Sequence, residues 1–302
     1  NWLTGGWEES ALPLTMAADG IHVYHGPDHH VPKKLHCPSV VTIHDLGYKK
    51  FPRLVPGGER LRLESCVSQA VERATRIVTV SNATRMDLMD LYGVKTEKIR
   101  MVYPGFNRRF AMGEAPVDDV KQKYDIRNPY ILFVGTIEPR KNLSNLIQAF
   151  ARKFFVDEFQ LVIVGPKGWA YADVFDIVQK LRLQDKVIFT GEVPPDELKG
   201  LYRGAELFVY PALYEGFGYT VLEAMSCGVP VVTSNNSALR EMFEGSAILV
   251  DPLEPGSIVS GMQDALFSPS QRKDFIELGL KCAARFDWRN TADQMLEVYR
   301  SL

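Results

Sequence analysis

Short apolar runs alternate with longer amphipathic stretches along most of this chain. In the second half, six such runs are separated by Gly or Pro breaks and by helical patterns of polar and apolar residues. Continuous hydrophobicity is typical of strands that are buried on both faces of a parallel sheet and covered by helices. The pattern therefore predicts six strands, at 130–135, 160–165, 186–191, 206–211, 229–234 and 247–250.

The first part of the chain repeats this pattern less completely. It predicts helices at about 60–74 and 83–92, with strands at 21–25, 39–45, 76–81 and 99–105. A polar, irregular segment at about 106–127 is typical of a linker. We predict two doubly wound α/β domains, 1–115 and 116–302, with the last helix of the second packing back on the first.

Composition narrows the functional classes. With 46% hydrophobic and 24% charged residues, the 302-residue chain has the composition of a soluble globular protein. Its formal net charge of −2 gives no general attraction to nucleic acid, and we expect no nucleic-acid partner. Four cysteines without a C-x-x-C pair favour a reducing compartment, so a cytoplasmic location is expected. No apolar run reaches the roughly 18 residues of a membrane span.

The loop after the first strand of the second domain carries two cations. In "TIEPRKN", Arg140 and Lys141 stand immediately before a helix predicted to begin near Asn142. Side-chain cations beside a helix N-terminus, where N–H groups and the dipole favour anions, form a phosphate site in outline. The alternative is a solvated basic turn.

The loop after the fourth strand of this domain carries two carboxylates. Gly216 and Gly218 allow close approach of the backbone, and a helix is predicted from about Tyr219. Glu215 in the loop and Glu223 on the helix could both face one crevice at the carboxyl edge of the sheet, where carboxylates suit sugar hydroxyls. Alternatively, Glu223 only complements the helix dipole and Glu215 is exposed.

Taken in order, these motifs closely resemble a known family. "VGTIEPRKN", "VIFTGEVPPDELKGLYRGAELFVYPALYEGFGYTVLEAMSCGVPVVTSNNSALREM" and "GSAILVDP" are similar to the C-terminal half of the GT-B retaining glycosyltransferases of family 4. The spacing of Glu215 and Glu223 is that family's E-x7-E motif. "IHVYHGP", "VVTIHD" and "IVTVSNAT" resemble the later part of its N-terminal domain. The resemblance implies the GT-B fold, with two Rossmann-like domains that face a cleft.

The resemblance also implies roles for individual residues. Arg140 and Lys141 would hold the nucleotide diphosphate, and Glu223 would bind the ribose hydroxyls. Glu215 would contact the donor sugar and phosphate, together with the backbone of Gly216, Phe217 and Gly218. The stretch near Val193 would flank the base.

Two departures from the family pattern are visible. Thr136, in the donor site by resemblance, stands where many members have arginine, so the cation role passes to Arg140 and Lys141. Members also have a strand, a glycine-rich loop and further βα units before the segment that corresponds to the strand at Ile21. Because only about 20 residues precede Ile21, the N-terminal domain is expected to be truncated.

The six histidines all lie between residues 22 and 44. They allow three readings: a metal site, a catalytic base, or the rim of a binding site. His25 ends a predicted strand where the family has an active-site histidine, and His44 and Ser81 are further candidates. His22 and His25 cannot easily share a metal on one regular strand, because alternate side chains point to opposite faces. We therefore expect no metal site.

No D-x-D pair occurs in the sequence, so the positive charge for the leaving group is expected from Arg140, Lys141 and a helix N-terminus. We expect a retaining glycosyltransferase that uses no cofactor and takes part in polysaccharide biosynthesis. The donor is expected to be GDP-mannose, because "GTIEPRKN" resembles bacterial polysaccharide mannosyltransferases. The acceptor would be a glycan, a lipid-linked molecule or a small molecule.

Other interpretations remain open at the sequence level. The chain could be a sugar-nucleotide epimerase of GT-B fold or a non-catalytic sugar-nucleotide-binding module. The segment 48–63 combines basic and apolar residues, and it predicts either peripheral contact with the inner face of a membrane or a solvated loop. The sequence does not predict an oligomeric state.

Overall fold

The computed structural model describes residues 6–107, 110 and 113–302. These residues form two compact units, each an α/β structure built on a parallel sheet. The first unit contains the described residues up to Gly105 together with Trp288–Leu302, and the second contains those of Phe106–Asp287. Within the described residues, no helix has the length and hydropathy that a membrane span requires.

The first unit has a four-stranded parallel sheet in the order β1-β2-β3-β4. All four predicted strands are present, and β1 begins three residues later than predicted because Ile21 donates its N–H to the Met16 carbonyl instead of a neighbouring strand. The strands are β1 (Tyr24–Gly26), β2 (Ser39–Ile43), β3 (Arg76–Thr79) and β4 (Ile99–Met101). The α-helices are α1 (Leu12–Ala18), α2 (Gly47–Lys50), α3 (Gly57–Arg73) and α4 (Asn82–Tyr92), with a π-helical turn at Trp7–Ala11 and 3-10 turns at Pro52–Leu54 and Thr96–Lys98.

The C-terminal helix, Trp288–Arg300 (α14), completes the first unit. Its buried Val298 packs with Val40, Val78 and Val102 on one face of the sheet. The backbone at Gly105 packs closely against the start of this helix. A Cβ at this position would lie 2.4 Å from the Trp288 side chain, so any residue other than glycine would displace Trp288. Sequence prediction assigned this helix to the second domain and had it pack back on the first.

The second unit has a six-stranded parallel sheet in the order β10-β9-β8-β5-β6-β7, and all six predicted strands are present. They are β5 (Tyr130–Val134), β6 (Gln160–Val164), β7 (Val187–Gly191), β8 (Leu207–Tyr210), β9 (Val231–Ser234) and β10 (Ile248–Val250). The helices are α5 (Val117–Lys123), α6 (Leu143–Phe150), α7 (Lys153–Glu158), α8 (Ala172–Lys180), α9 (Pro195–Arg203), α10 (Tyr219–Ser226), α11 (Ser237–Phe243), α12 (Pro255–Phe267) and α13 (Pro269–Ala283).

Burial along the strands follows their place in this sheet. Every residue of β5 and β6 is buried, whereas the edge strand β7 is half-buried beyond Val187. Central parallel strands are covered by helices on both faces, which explains why their sequences are continuously apolar.

The described residues between Gly105 and α5 belong to the second unit, although sequence prediction placed 106–115 in the first domain. The Phe106 N–H donates to the Phe286 carbonyl, and the Arg203 guanidinium donates to the carbonyls of Phe110 and Gly113. These bonds tie the segment to the second sheet's helices. The predicted linker at 106–127 includes residues 108–109 and 111–112, which lie outside the described residues.

Candidate active site

The loop after β5 places Arg140 and Lys141 on a 3-10 turn, Pro139–Lys141. Asn142 then adopts a left-handed conformation with φ 60°, which Asn tolerates better than most residues. Its side-chain amide donates to the carbonyls of Pro211 and Pro252, at 3.0 and 2.6 Å, so the turn is anchored to two other loops. Helix α6 begins immediately afterwards, at Leu143.

The loop after β8 is hydrogen-bonded to this turn. The Leu213 N–H donates to the Arg140 carbonyl at 2.9 Å, and the Arg140 guanidinium donates to the Tyr214 carbonyl at 3.1 Å. The Glu215 N–H donates to the hydroxyl of Ser237. These contacts hold Glu215 opposite the two cations.

Gly218 permits the sharp start of α10. Its φ is 117°, and a Cβ there would lie 2.8 Å from the Phe243 ring. Any other residue would therefore be strained in the backbone and would displace a buried side chain. The glycine lets the N-terminus of α10 lie close to Phe243 of α11, and Glu223 lies on α10.

Four charged side chains meet at the carboxyl edge of the second sheet. Lys141 forms a short ion pair with Glu215, and Arg140 lies 3.3 Å from the second oxygen of the same carboxylate. Arg140 is also 3.1 Å from Glu138. The Lys141 and Glu215 side chains are only 11% and 12% exposed. We call Glu138, Arg140, Lys141 and Glu215 the charged cluster; its formal charges sum to zero.

Tyr210, at the end of β8, contacts two members of the charged cluster. The Lys141 ammonium donates to its hydroxyl at 2.7 Å, and the hydroxyl donates to Glu215 at 2.9 Å. Tyr210 is buried, where a hydroxyl needs hydrogen-bond partners, and these two charged groups supply them.

The ionisation of the pair follows from these contacts. Burial alone would lower the pKa of the Lys141 ammonium, but the adjacent Tyr210 and Glu215 outweigh burial and raise it. Burial likewise opposes the charge on Glu215, yet Lys141 and Arg140 hold the pKa of its carboxyl below the ordinary value. Both groups are therefore charged at neutral pH.

Glu223 lies on α10, half-buried, and accepts a hydrogen bond of 2.9 Å from the Tyr202 hydroxyl. The Thr220 hydroxyl, one turn earlier on the same helix, is buried and has no hydrogen-bond partner among the described residues. Buried hydroxyls without a partner are rare in folded proteins.

The remaining donor-site candidates lie on the loops around this cluster. Thr136, half-buried, follows β5, and a Cβ at Gly168 would lie 2.7 Å from its methyl group. Val193 is half-buried in the loop between β7 and α9. Phe217 is buried against Phe286, with ring centroids 5.4 Å apart, and the neighbouring Gly216 is also buried.

In the first unit, His25 is held at both ring nitrogens. Nδ1 lies 2.7 Å from the Tyr299 hydroxyl of α14, and Nε2 lies 2.8 Å from the Thr42 hydroxyl of β2. Burial lowers the pKa of His25, and the nearby His44 lowers it further, so the ring is neutral at pH 7. A bond from His25 to a ligand would have to replace one of these contacts.

His44 and Ser81 also make contacts within the first unit. The exposed His44 ring donates from Nε2 to the Pro27 carbonyl at 2.9 Å. Ser81 is the N-cap of α4, where its buried hydroxyl accepts from the Thr84 N–H at 3.2 Å. The structure thus gives Ser81 a helix-capping function.

The histidine-rich loop after β1 borders a cavity of about 350 Å³. His29 and His30 line it together with Tyr24, Asp28 and Arg62. His29 has a φ of 55°, and its buried Nδ1 has no partner among the described residues. The part of the chain that the structure describes holds no group of three His, Cys, Asp or Glu side chains arranged for a metal ion.

Sequence reasoning missed three residues of this region: Glu138, Tyr202 and Tyr210. Glu138 is visible in "TIEPRKN" as the one carboxylate beside two cations. The tyrosines have the apolar surroundings of ordinary core residues, and only the structure reveals that each hydroxyl reaches a carboxylate of the E-x7-E motif.

The fold is that of GT-B glycosyltransferases. Sucrose-phosphate synthase from Thermosynechococcus elongatus superposes with a TM-score of 0.78 at 24% identity, covering 96% of this chain and 76% of that one. Anabaena HepE, solved in complex with UDP and glucose, superposes with a TM-score of 0.75 at 22% identity, covering 88% and 72%.

Sequence comparison identifies the family. The Glycosyl transferases group 1 family matches residues 117–281, and Glycosyltransferase Family 4 matches residues 9–110. The chain belongs to the Glycosyl transferases group 1 family.

Two relatives illustrate the similarity. O-antigen chain mannosyltransferase B of Escherichia coli is 31% identical over 286 residues, which are 93% of this chain and 74% of the relative. D-inositol 3-phosphate glycosyltransferase of Acidothermus cellulolyticus is 32% identical over 280 residues, and the aligned part is 87% of this chain and 62% of that protein.

Proposed function

We propose that this chain acts as a retaining glycosyltransferase, transferring a sugar from a nucleotide diphosphate to an acceptor hydroxyl. The first choice of donor is GDP-mannose. The acceptor is a glycan, a lipid-linked molecule or a small molecule, as expected in polysaccharide biosynthesis.

The observation that carries this proposal is the buried ion pair of Lys141 with Glu215, reinforced by Arg140. Two cations held together at the edge of a parallel sheet, beside two helix N-termini, form a site for an anion of high charge. In the free protein the Glu215 carboxylate is the anion that pairs with both cations. The carboxylate therefore lies where an incoming phosphate would bind.

Donor binding then becomes an exchange of anions. The diphosphate takes the Lys141 and Arg140 contacts, and Glu215 is released to accept hydrogen bonds from hydroxyls of the donor sugar. Glu223 accepts from the ribose hydroxyls, and the unsatisfied Thr220 hydroxyl supports ligand binding at the same end of α10. Thr136 and the backbone at 216–218 complete the phosphate and sugar contacts, and the stretch near Val193 flanks the base.

In the reaction, the bond between the sugar anomeric carbon and the β-phosphate oxygen breaks, and its electron pair stays on that oxygen. Lys141 and Arg140 stabilise the charge that develops there, because they are preorganised and largely shielded from water. The acceptor hydroxyl attacks the oxocarbenium-like centre from the face that the diphosphate leaves, and its proton passes to the departing phosphate oxygen. Configuration is thereby retained.

Mannose is favoured by the relatives. Two of them are named as O-antigen chain mannosyltransferases, at 31% and 30% identity. Because another relative is named as a D-inositol 3-phosphate glycosyltransferase, assays should also include other donors and acceptors.

The first unit is proposed to supply the acceptor site. The cavity beside the histidine loop presents carboxylate, imidazole and guanidinium groups, which suit hydroxyls of a sugar acceptor. His25 would contact the reacting region by exchanging its bond to Thr42 or Tyr299. His44 and the capping Ser81 are further candidates for contact with the acceptor.

Membrane contact through 48–63 remains a prediction. The segment is mostly helical instead of the solvated loop considered from sequence, since it spans α2, a 3-10 turn and the start of α3. Three of its cations are paired with carboxylates: Lys49 with Glu64, Lys50 with Asp87 and Arg62 with Glu59. This pairing reduces the basic charge that a membrane surface would attract.

A titration of nucleotides tests the proposed donor site. Glu223→Ala should weaken binding of GDP and of GDP-mannose by the same factor, about 10- to 100-fold, because a hydrogen bond to a charged group contributes roughly 1.5 to 3 kcal/mol in both complexes. Isothermal titration calorimetry on the wild type and the variant measures both affinities, with UDP and UDP-glucose run in parallel to identify the base. Unchanged nucleotide affinity in Glu223→Ala would remove Glu223 from the donor site.

A further inference from the structure

Each carboxylate of the E-x7-E motif is bonded to the hydroxyl of a buried tyrosine. Tyr210 lies 2.9 Å from Glu215, and Tyr202 lies 2.9 Å from Glu223. Both tyrosine side chains are almost inaccessible to solvent, at 3% and 0% exposure. The two hydroxyls therefore approach the carboxylates from the interior of the second unit.

The two tyrosines belong to one continuous row of aromatic ring contacts. Phe208 links them, tilted against Tyr202 with ring centroids 5.6 Å apart and stacked on Tyr210 at 6.0 Å. The row extends to Phe133, stacked on Tyr210, and to Phe110, edge-to-face with Tyr202, at 5.6 Å in each case. Rings fixed in this way hold their hydroxyls at defined positions, because a tilt of one ring would disturb its neighbours.

The hydrogen-bonding chemistry of the two hydroxyls differs. Tyr210 accepts from Lys141 and donates to Glu215, so it contacts both members of the ion pair. Tyr202 has one proton to donate, and its contact with Glu223 is shorter than its 3.3 Å contact with the Thr220 carbonyl. Burial raises the pKa of both tyrosines, with further effects from Glu215 and Glu223 respectively, which keeps the hydroxyls protonated as donors.

We propose that Tyr202 and Tyr210 are positioning residues for two separate parts of the donor. Tyr202 orients Glu223 for the nucleoside, and Tyr210 orients Lys141 and Glu215 for the diphosphate and sugar. This inference rests on the proposed function, because it assigns each tyrosine to the ligand group that its carboxylate binds.

A carboxylate of Glu has several rotatable bonds, and a fixed donor to one of its oxygens restricts them before the ligand arrives. The other oxygen is then presented in a defined direction. For Glu215 the tyrosine bond has a second consequence: it gives the carboxylate a partner after the diphosphate has taken Lys141. Without that partner, release of Glu215 would leave a buried charge less well satisfied.

Phenylalanine substitutions separate positioning from packing, because they remove one oxygen and keep the aromatic ring contacts. Tyr202→Phe should weaken GMP and GDP binding by the same factor, about tenfold, so the ratio of the two affinities stays constant. Tyr210→Phe should leave GMP affinity within about twofold and weaken GDP about tenfold, so that this ratio changes. UMP and UDP replace the guanosine nucleotides if the wild type prefers them.

Tyr130→Phe is the matched control. Tyr130 is also a buried tyrosine of the second unit, but its hydroxyl donates to the Leu201 carbonyl at 2.6 Å instead of a motif carboxylate. This variant should lower the melting temperature as much as the other two and change neither nucleotide affinity. If all three variants changed the affinities for GMP and GDP in parallel, the tyrosines would act through general stability and the inference would be wrong.

Glu223→Gln, titrated in the same series, distinguishes the inference from the proposed function. If Glu223→Gln weakens nucleotide binding and Tyr202→Phe does not, the positioning effect is refuted while the donor site stands. If Glu223→Gln also leaves GMP and GDP unaffected, or if the wild type binds no nucleotide, the proposed donor site and the inference fail together.

Discussion

The candidate residues of the two units are held by different kinds of contact. In the first unit, His25 is neutral and bonded to the hydroxyls of Thr42 and Tyr299, and Ser81 caps a helix. In the second unit, Lys141 and Glu215 are charged, nearly buried and paired with each other. Neutral bonds of the first type stabilise a fold at little cost, whereas buried charges are expensive.

This difference between neutral hydrogen bonds and a buried ion pair indicates which unit is suited to bind a charged ligand. A buried ion pair is weak evidence for stability, since apolar residues of similar volume often serve as well. Such a pair does preorganise charge, and an anion that replaces one member can use the other without moving it. We therefore expect the charged cluster to bind the ligand, and variants in the two units should behave differently.

Lys141→Ala should produce the largest effect. Because Lys141 would meet the charge that develops on the departing diphosphate, its loss should lower kcat by about 10² to 10³, the scale seen for one preorganised oxyanion donor. Steady-state kinetics with GDP-mannose measures the change. Arg at this position should recover only part of it, since a planar guanidinium does not replace a compact ammonium in a tight turn.

Stability has to be controlled in that experiment. Removing one partner of a buried pair commonly costs about 3 to 5 kcal/mol, because the other charge is left uncompensated. Thermal melts should define a temperature at which every variant is folded, and kinetics should be compared there. A folded Lys141→Ala enzyme with near-normal kcat would place the diphosphate elsewhere.

The first unit should show a smaller, pH-dependent effect on stability at His25. Its folded pKa lies below the ordinary value of about 6.5, so the unfolded chain binds more protons as the pH falls below that value. Stability contributed by neutral His25 is therefore present above about pH 6.5 and is lost progressively on acidification until the folded pKa is passed. His25→Gln should lose less melting temperature than the wild type between pH 7.5 and 5.5.

The exposed His22 provides a matched control for this experiment, and His22→Gln should follow the wild-type melting curve. Burial also lowers the pKa of His29, which contributes in the same direction, so His25→Gln should remove only part of the pH dependence. Identical slopes for wild type and His25→Gln would show that the ring of His25 titrates alike in the folded and unfolded chains.

Much of the fold could be predicted from sequence because each strand and helix has a hydrophobic pattern within its own short segment. Ten apolar runs predicted ten strands, since strands in the middle of a parallel sheet are buried on both faces and even the edge strands are partly covered. The positions of Arg140, Lys141 and Glu215 after strands placed them at one edge of one sheet. The prediction of helix starts near Asn142 and Tyr219 followed from loop composition and is confirmed.

The pairing of side chains could not be predicted in the same way. Lys141 and Glu215 are 74 residues apart, and His25 and Tyr299 are 274 residues apart, so only the folded chain brings them together. Tyr202 and Tyr210 have the sequence surroundings of core aromatics. The hydrophobic pattern of the sequence does not indicate the direction in which a buried hydroxyl points. The assignment of Trp288–Leu302 to the first unit likewise depends on long-range packing, in which buried Val298 and its neighbours Met295, Tyr299 and Leu302 join a core cluster of the first unit.

The measurement that tests the central claim most directly is the affinity of Glu215→Gln for GDP. If Glu215 is the internal anion that the diphosphate replaces, the amide should leave Lys141 and Arg140 without a competitor, and GDP should bind about tenfold more tightly, or about 1.4 kcal/mol, while kcat falls. Glu138→Gln, which removes only a partner of Arg140, should tighten GDP binding less. Calorimetric titration of the three proteins at one ionic strength gives the comparison. Unchanged or weaker GDP binding by Glu215→Gln would contradict the exchange of anions proposed for this site.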